Sequence, residues 1–147
     1  MAPLIALAVS ILIFWIAGRT GVTVFQDLRF VLRAALAVMF FLTASAHWGR
    51  RRPDLIRMVP PAFPRPDLLV TITGVLEILG AIGLLLPSTA RASSICLILL
   101  LVALFPANVR AARQHLTIAG KHVPSLPVRS VIQLVFIATL IAAAWIR

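Results

Sequence analysis

Few side chains in this sequence are equipped for chemistry, and those few are set among long apolar runs. Glu77 is the one glutamate. Nine residues of an apolar run precede it from Leu68, and nine follow it to Leu86. If that run crosses a bilayer, the carboxyl sits near mid-depth. A charged group there costs about 2.5–3.5 kcal/mol or more, and by default it marks a site that binds a ligand, relays a proton or ties helices together. Thr73 and Gly74 lie one turn before it, Gly80 and Ala81 one turn after. Small residues on that face let a second helix come close to the carboxyl.

Three other polar side chains fall at comparable positions. His47 ends an earlier apolar run, with Thr43 and Ala44 on its face. Asn108 stands two residues after Pro106, near the end of a fourth run. Proline removes a backbone donor, and asparagine can satisfy groups freed in this way. Gln133 lies one turn into the last run, with Arg129 four residues earlier on the same face. Together with Thr71 and Thr73 these residues are expected to form a polar pocket above Glu77 as its floor. They would orient the polar head of a small amphipathic molecule whose tail lies on apolar walls.

The remaining reactive types offer less. Cys96 is alone, so neither an internal disulfide nor a CxxC pair can form; it reads as a buried, inert thiol. No set of Cys, His and acidic residues has metal-ligand spacing, so no metal is expected. His115 and His122 read as solvated loop residues.

The elements that must position these groups follow from composition. Of 147 residues, 61% are hydrophobic and 12% charged, and the mean hydropathy is +1.05. Soluble domains run at about 45–50% apolar and about 25% charged, so soluble, disordered and disulfide-scaffold classes are excluded. Five apolar runs, 3–18, 30–48, 68–86, 92–109 and 130–146, are long enough to be read as membrane helices. The fold class is all-α: a single polytopic transmembrane helical bundle, 1–147, with a four-helix core and an added N-terminal helix. The first run has no Lys or Arg before it and no small-x-small cleavage site after it, so it reads as a retained helix rather than a signal peptide. Trp15, Trp48 and Trp145 fall near run ends, where an indole sits at headgroup depth.

The charge balance is 14 Lys+Arg against 4 Asp+Glu, a net +10. The basic residues lie between apolar runs without a nucleic-acid-binding motif, so the expected partner is anionic lipid and nucleic acid is not. Nine of them fall on the face of the bundle that carries the N-terminus, here the A face; the other five, including Arg147, fall on the B face. The positive-inside rule then places the A face, and with it the connection 49–67, in the cytoplasm. That connection holds five prolines and reads as a loop in the headgroup region. Its Arg50, Arg51, Arg52 and Arg57 would either meet lipid phosphates or pack on helix ends.

Three segments carry a family likeness: His47 with the following RRRPDLIRMVPPAFPRP, then TGVLEILGAIGLLLP (Thr73–Pro87), then LFPAN (Leu104–Asn108). From about Phe30 to the C-terminus the chain resembles the DoxX family of small bacterial membrane proteins. The resemblance implies a four-helix bundle in the bacterial plasma membrane. Some relatives in that family are associated with quinone-linked sulfur oxidation, as a membrane subunit of thiosulfate:quinone oxidoreductase, and others with redox complexes that handle oxidative stress. The family pattern lands on His47, Pro60, Pro64, Gly74, Glu77, Gly80, Pro87, Pro106 and Asn108, and brings no agreed catalytic role for them. The chain has no redox thiol pair and no evident haem ligand pair, so the implied role is a non-catalytic subunit or a module that binds a quinone or a lipid. Its partners would be the bilayer, a protein of a redox complex and, as an open possibility, further copies of itself. Two other classes stay open: proton-coupled transport through Glu77, and a structural or chaperone-like role without a ligand.

Overall fold

Proline punctuates this chain. Pro3, Pro53, Pro66, Pro106 and Pro127 each take the first or second position of a helix. There the missing N–H is unneeded and the fixed φ suits the first turn. The computed structural model describes residues 1–146, apart from the side chain of Lys121; Arg147, counted above on the B face, lies outside the described residues.

Seven helices result: α1 (Ala2–Arg19), α2 (Leu28–Ser45), α3 (Arg52–Met58), α4 (Pro66–Leu85), α5 (Ala90–Ala103), α6 (Phe105–Arg113) and α7 (Leu126–Trp145). A short 3-10 turn, Thr23–Gln26, joins α1 to α2, and the Asp27 carboxylate caps α2 by accepting from the Arg29 amide at 2.9 Å. Five helical stretches are long and apolar enough to cross a membrane: α1, α2, α4, α5 with α6 as one unit (Ala90–Arg113), and α7. The protein therefore has the build of a multi-pass membrane protein.

α2 packs on α1, α4 and α7, while α5 packs on α4 and α7. α4 and α7 thus share the neighbours α2 and α5 and face each other across the bundle. Leu36, Met39 and Phe40 of α2, Ala81 and Leu84 of α4, Leu97 of α5 and Leu140 of α7 are buried together. In lipid, burial of such side chains removes little water, so close van der Waals packing holds the helices. Gly80 shows how close: a Cβ there would stand 2.5 Å from Leu97 Cδ2. At the B end, Arg33 Nε donates to the Ala143 carbonyl at 3.1 Å, placing a cation on the last turn of α7.

The structure departs from the sequence reading in four places. α2 ends at Ser45 and not at Trp48. The connection 49–67 is not all loop, because Pro53 starts α3, and the helix ends just ahead of Pro60 and Pro61. The fourth run is interrupted at Leu104, two residues before Pro106. Cys96 lies on the outer surface of α5, exposed and not buried.

On the A face, α3 docks a small hairpin, β1 (Thr117–Ile118) paired antiparallel with β2 (Lys121–His122). Ala119 and Gly120 both have positive φ, 52° and 74°, as a two-residue hairpin turn demands. The Ala119 amide donates to Asp54 Oδ2 at 2.8 Å, Arg57 pairs with Asp54 Oδ1, and Arg110 Nε donates to the Arg57 carbonyl at 3.1 Å. The amide and the guanidinium hold the Asp54 carboxyl below its ordinary range.

Candidate functional site

The site is built where α2 stops being a helix. Past Thr43 the backbone bonds shorten to a three-residue spacing, Ala46 N to Thr43 O at 3.1 Å and His47 N to Ala44 O at 2.9 Å. The His47 carbonyl accepts instead from Arg52 Nη1 at 2.8 Å. Arg52 Nη2 reaches the Asp67 carbonyl at 3.0 Å and Thr71 Oγ1 at 2.9 Å, stapling this irregular stretch to the start of α4. The break lies within the length of α4, which continues from Glu77 to Pro66, about 16 Å. Irregular backbone at such depth is tolerated in membrane proteins only where protein buries it or a cavity lines it.

Opposite the break stands Glu77. Its Oε2 is 2.6 Å from Thr43 Oγ1, and its Oε1 is 4.0 Å from His47 Nε2. Glu77 is 6% exposed and His47 7%. The proton arrangement follows from which atoms can only accept. His47 Nδ1 faces the Thr43 carbonyl at 3.2 Å, so Nδ1 carries a hydrogen and Nε2 turns toward the carboxyl. Thr43 Oγ1 is also 3.0 Å from the Phe40 carbonyl, yet a hydroxyl has one proton. If that proton goes to Phe40, the short contact needs a proton from Glu77; if it goes to a Glu77 carboxylate, Phe40 forgoes it. The same heavy-atom arrangement thus holds a neutral carboxyl beside a neutral imidazole, or an ion pair.

Gly74 makes the arrangement possible. A Cβ at this position would lie 2.8 Å from His47 Cβ and Cγ and from Trp48 Cη2. The absence of a side chain lets the imidazole and the edge of the indole rest on α4, with Trp48 itself half exposed.

The other polar residues form a separate set. Arg129 donates to Asn108 Oδ1, Asn108 Nδ2 donates to Gln133 Oε1 at 3.0 Å, and Gln133 Nε2 donates to the Leu101 carbonyl at 3.0 Å. This chain of donors ends in the turn that Pro106 disrupts. Gln133, and not Asn108 as expected, is the residue that reaches a carbonyl of that turn. Thr73 Oγ1 bonds only its own helix, at the Leu69 and Val70 carbonyls, 2.9 and 3.1 Å away.

The single pocket expected over Glu77 is therefore divided. Glu77 and His47 come together between α2 and α4; Asn108 and Gln133 come together between α6 and α7; Thr73 joins neither. Two surface grooves of about 460 Å³ each lie elsewhere, one beside Trp15, Gly18, Arg19, Phe25 and Gln26 and one beside α6. Arg52 is occupied by carbonyls and Thr71 and so packs on the helix ends, the second of its two expected roles, whereas Arg50, Arg51 and Arg57 are exposed, Arg57 while paired with Asp54. Among the described residues no three His, Cys or acidic side chains lie close enough to hold a metal ion.

Two contributors, Thr43 and Arg129, escaped the sequence reading as site residues. Thr43 stands one turn before His47, and that spacing was the available signal. Arg129 stands one turn before Gln133 in the same way. Arg52 was expected at headgroups or on helix ends, but nothing singled it out from the run of three arginines as the one that turns inward.

No curated protein and no solved structure matches the chain. Residues 36–147 match the model of a family described as a domain of unknown function, DUF8561. The matched stretch begins inside α2 and takes in both polar sets. It covers well over half of the sequence, and the protein belongs to the DUF8561 family.

Proposed function

We propose that this protein is a DoxX-like integral membrane protein of the bacterial plasma membrane, with the connection 49–67 in the cytoplasm. Its core is four helical units, α2–α3, α4, α5–α6 and α7, with α1 added outside. It serves a membrane redox complex as a non-catalytic subunit that holds the polar head of a quinone or a lipid at Glu77. The observation that carries this reading is the 4.0 Å separation between His47 Nε2 and Glu77 Oε1 beside a broken helix. That distance is too long for a direct hydrogen bond, and it suits an oxygen about 2.8 Å from both atoms. A quinone carbonyl would accept from whichever of the two carries the proton. The hydroxyl of the reduced form would donate to the other. The excess of Arg and Lys on the A face supports the orientation, and the sequence likeness around Glu77 supports the redox setting.

The test is gentle extraction from the native membrane, followed by identification of co-purifying quinones, lipids and proteins. The reading expects a bound quinone or lipid that Glu77→Gln loses while the protein stays folded. Full retention in that variant, or recovery with no such molecule, refutes it. The 2.6 Å bond from Thr43 favours a second reading, in which Glu77 only locks α2 to α4. Glu77→Gln would then change stability alone.

A further inference from the structure

α6 follows α5 after the break at Leu104 and carries two different surfaces in order. At its start are Phe105 and Pro106 and at its middle Val109; in its last turn are Arg110 and Arg113. With Pro60 from the connection after α3, these residues line a groove of about 460 Å³ that opens on the A face. Arg113 stands eight residues beyond Phe105, about 12 Å along the helix. The groove is thus apolar at its Phe105 end and cationic at its Arg113 end, and it is long enough to take a lipid phosphate together with its glycerol and first acyl methylenes.

The two arginines are also short of partners. The ion pairs among the described residues join Arg29 to Asp27, His47 to Glu77 and Arg57 to Asp54; none involves Arg110 or Arg113. Arg110 commits Nε to the Arg57 carbonyl and keeps its two terminal nitrogens. Arg113 is exposed. No acidic residue lines the groove.

We propose that this groove seats an anionic phospholipid. Arg110 and Arg113 hold the phosphate oxygens in charge-assisted hydrogen bonds, and Pro60, Phe105, Pro106 and Val109 pack the glycerol and the first methylenes. The site does not rest on the Glu77 reading.

The experiment is native mass spectrometry of the whole protein released from micelles containing phosphatidylglycerol, phosphatidylcholine or free glycerol phosphate. The protein should retain phosphatidylglycerol in preference to the other two. Arg113→Gln should weaken that retention about fivefold, the share of one arginine near an anionic surface. Arg50→Gln, on the same face outside the groove, should change it less than twofold. Equal losses in the two variants would reduce the effect to general surface charge and overturn the site. Equal retention of phosphatidylcholine overturns the anionic specificity. Glycerol phosphate held as tightly as the lipid makes this a free-phosphate site and overturns the lipid. If Arg113→Gln is not recovered folded, photoactivatable phosphatidylglycerol decides on the unaltered protein: crosslinks should fall within 105–114, and crosslinks only elsewhere overturn the proposal.

Discussion

Thr43→Val is the sharpest probe of the α2–α4 seam. Valine matches threonine closely in shape and removes the one hydroxyl that touches Glu77 Oε2 at 2.6 Å. The carboxyl is 6% exposed, so water has little access to replace the lost partner. A buried acceptor left unpaired costs about 1–3 kcal/mol. Hydrogen bonds between membrane helices couple more weakly, at about 0.6 kcal/mol on average and about 1.7 at most, because the unfolded chain in the membrane finds partners too. The short distance and the ionisable acceptor place this pair in the upper part of that range, at about 1–1.7 kcal/mol of coupling. The assay is a double-mutant cycle of Thr43→Val and Glu77→Leu, with reversible unfolding followed in mixed detergent micelles. Thr43→Val should cost clearly less in the Glu77→Leu background, where no carboxyl is left to satisfy. Additivity within about 0.3 kcal/mol would show that the two residues are independent and that the bond does not hold the seam.

Gly74→Ala should push the His47 and Trp48 rings off α4 and cost about 1–3 kcal/mol as overpacking, read as a lower unfolding midpoint together with a changed Trp48 fluorescence. Asn108→Ala should leave Arg129 and Gln133 each short of a partner and cost about 1–3 kcal/mol in the same unfolding assay; a cost near zero would mean that water replaces the amide. The Asp54 carboxyl is held below its ordinary value of 3.8 by the Ala119 amide and Arg57, so its contribution to hairpin docking is complete above that value. The contribution disappears as pH falls through the lowered folded value. The Ala119 amide resonance should therefore stay in place down to about pH 4 and move below it, while Asp54→Asn should abolish that low-pH step.

Hydropathy located the spanning helices because a membrane helix must be apolar along its whole length. The run expected at 3–18 is the helix Ala2–Arg19, and that expected at 68–86 is Pro66–Leu85. Hydropathy was blind to the end of α2, since Ala46 and Trp48 are as apolar as the helix before them. It also hid α3, because prolines counted as helix breakers include Pro53, which starts one. Position along each apolar run was legible for Glu77, His47, Asn108 and Gln133, but lateral neighbourhood was not. Nothing in the spacing says that α4 and α7 stand on opposite sides of the bundle, and that placement separates Glu77 from Gln133. Cys96 shows the same gap: in a run apolar all round, no periodicity marks the face that turns outward.

Thr43 and Glu77 stand level with each other, and the tight cluster of Leu36, Phe40, Leu84, Leu97 and Leu140 fills the bundle on the B side of that level. Those residues close the bundle between Glu77 and the B face. On the B side the carboxyl is backed by that packed apolar cluster, whereas on the A side the seam between α2 and α4 is lined by the Trp48 indole and the Arg52 guanidinium.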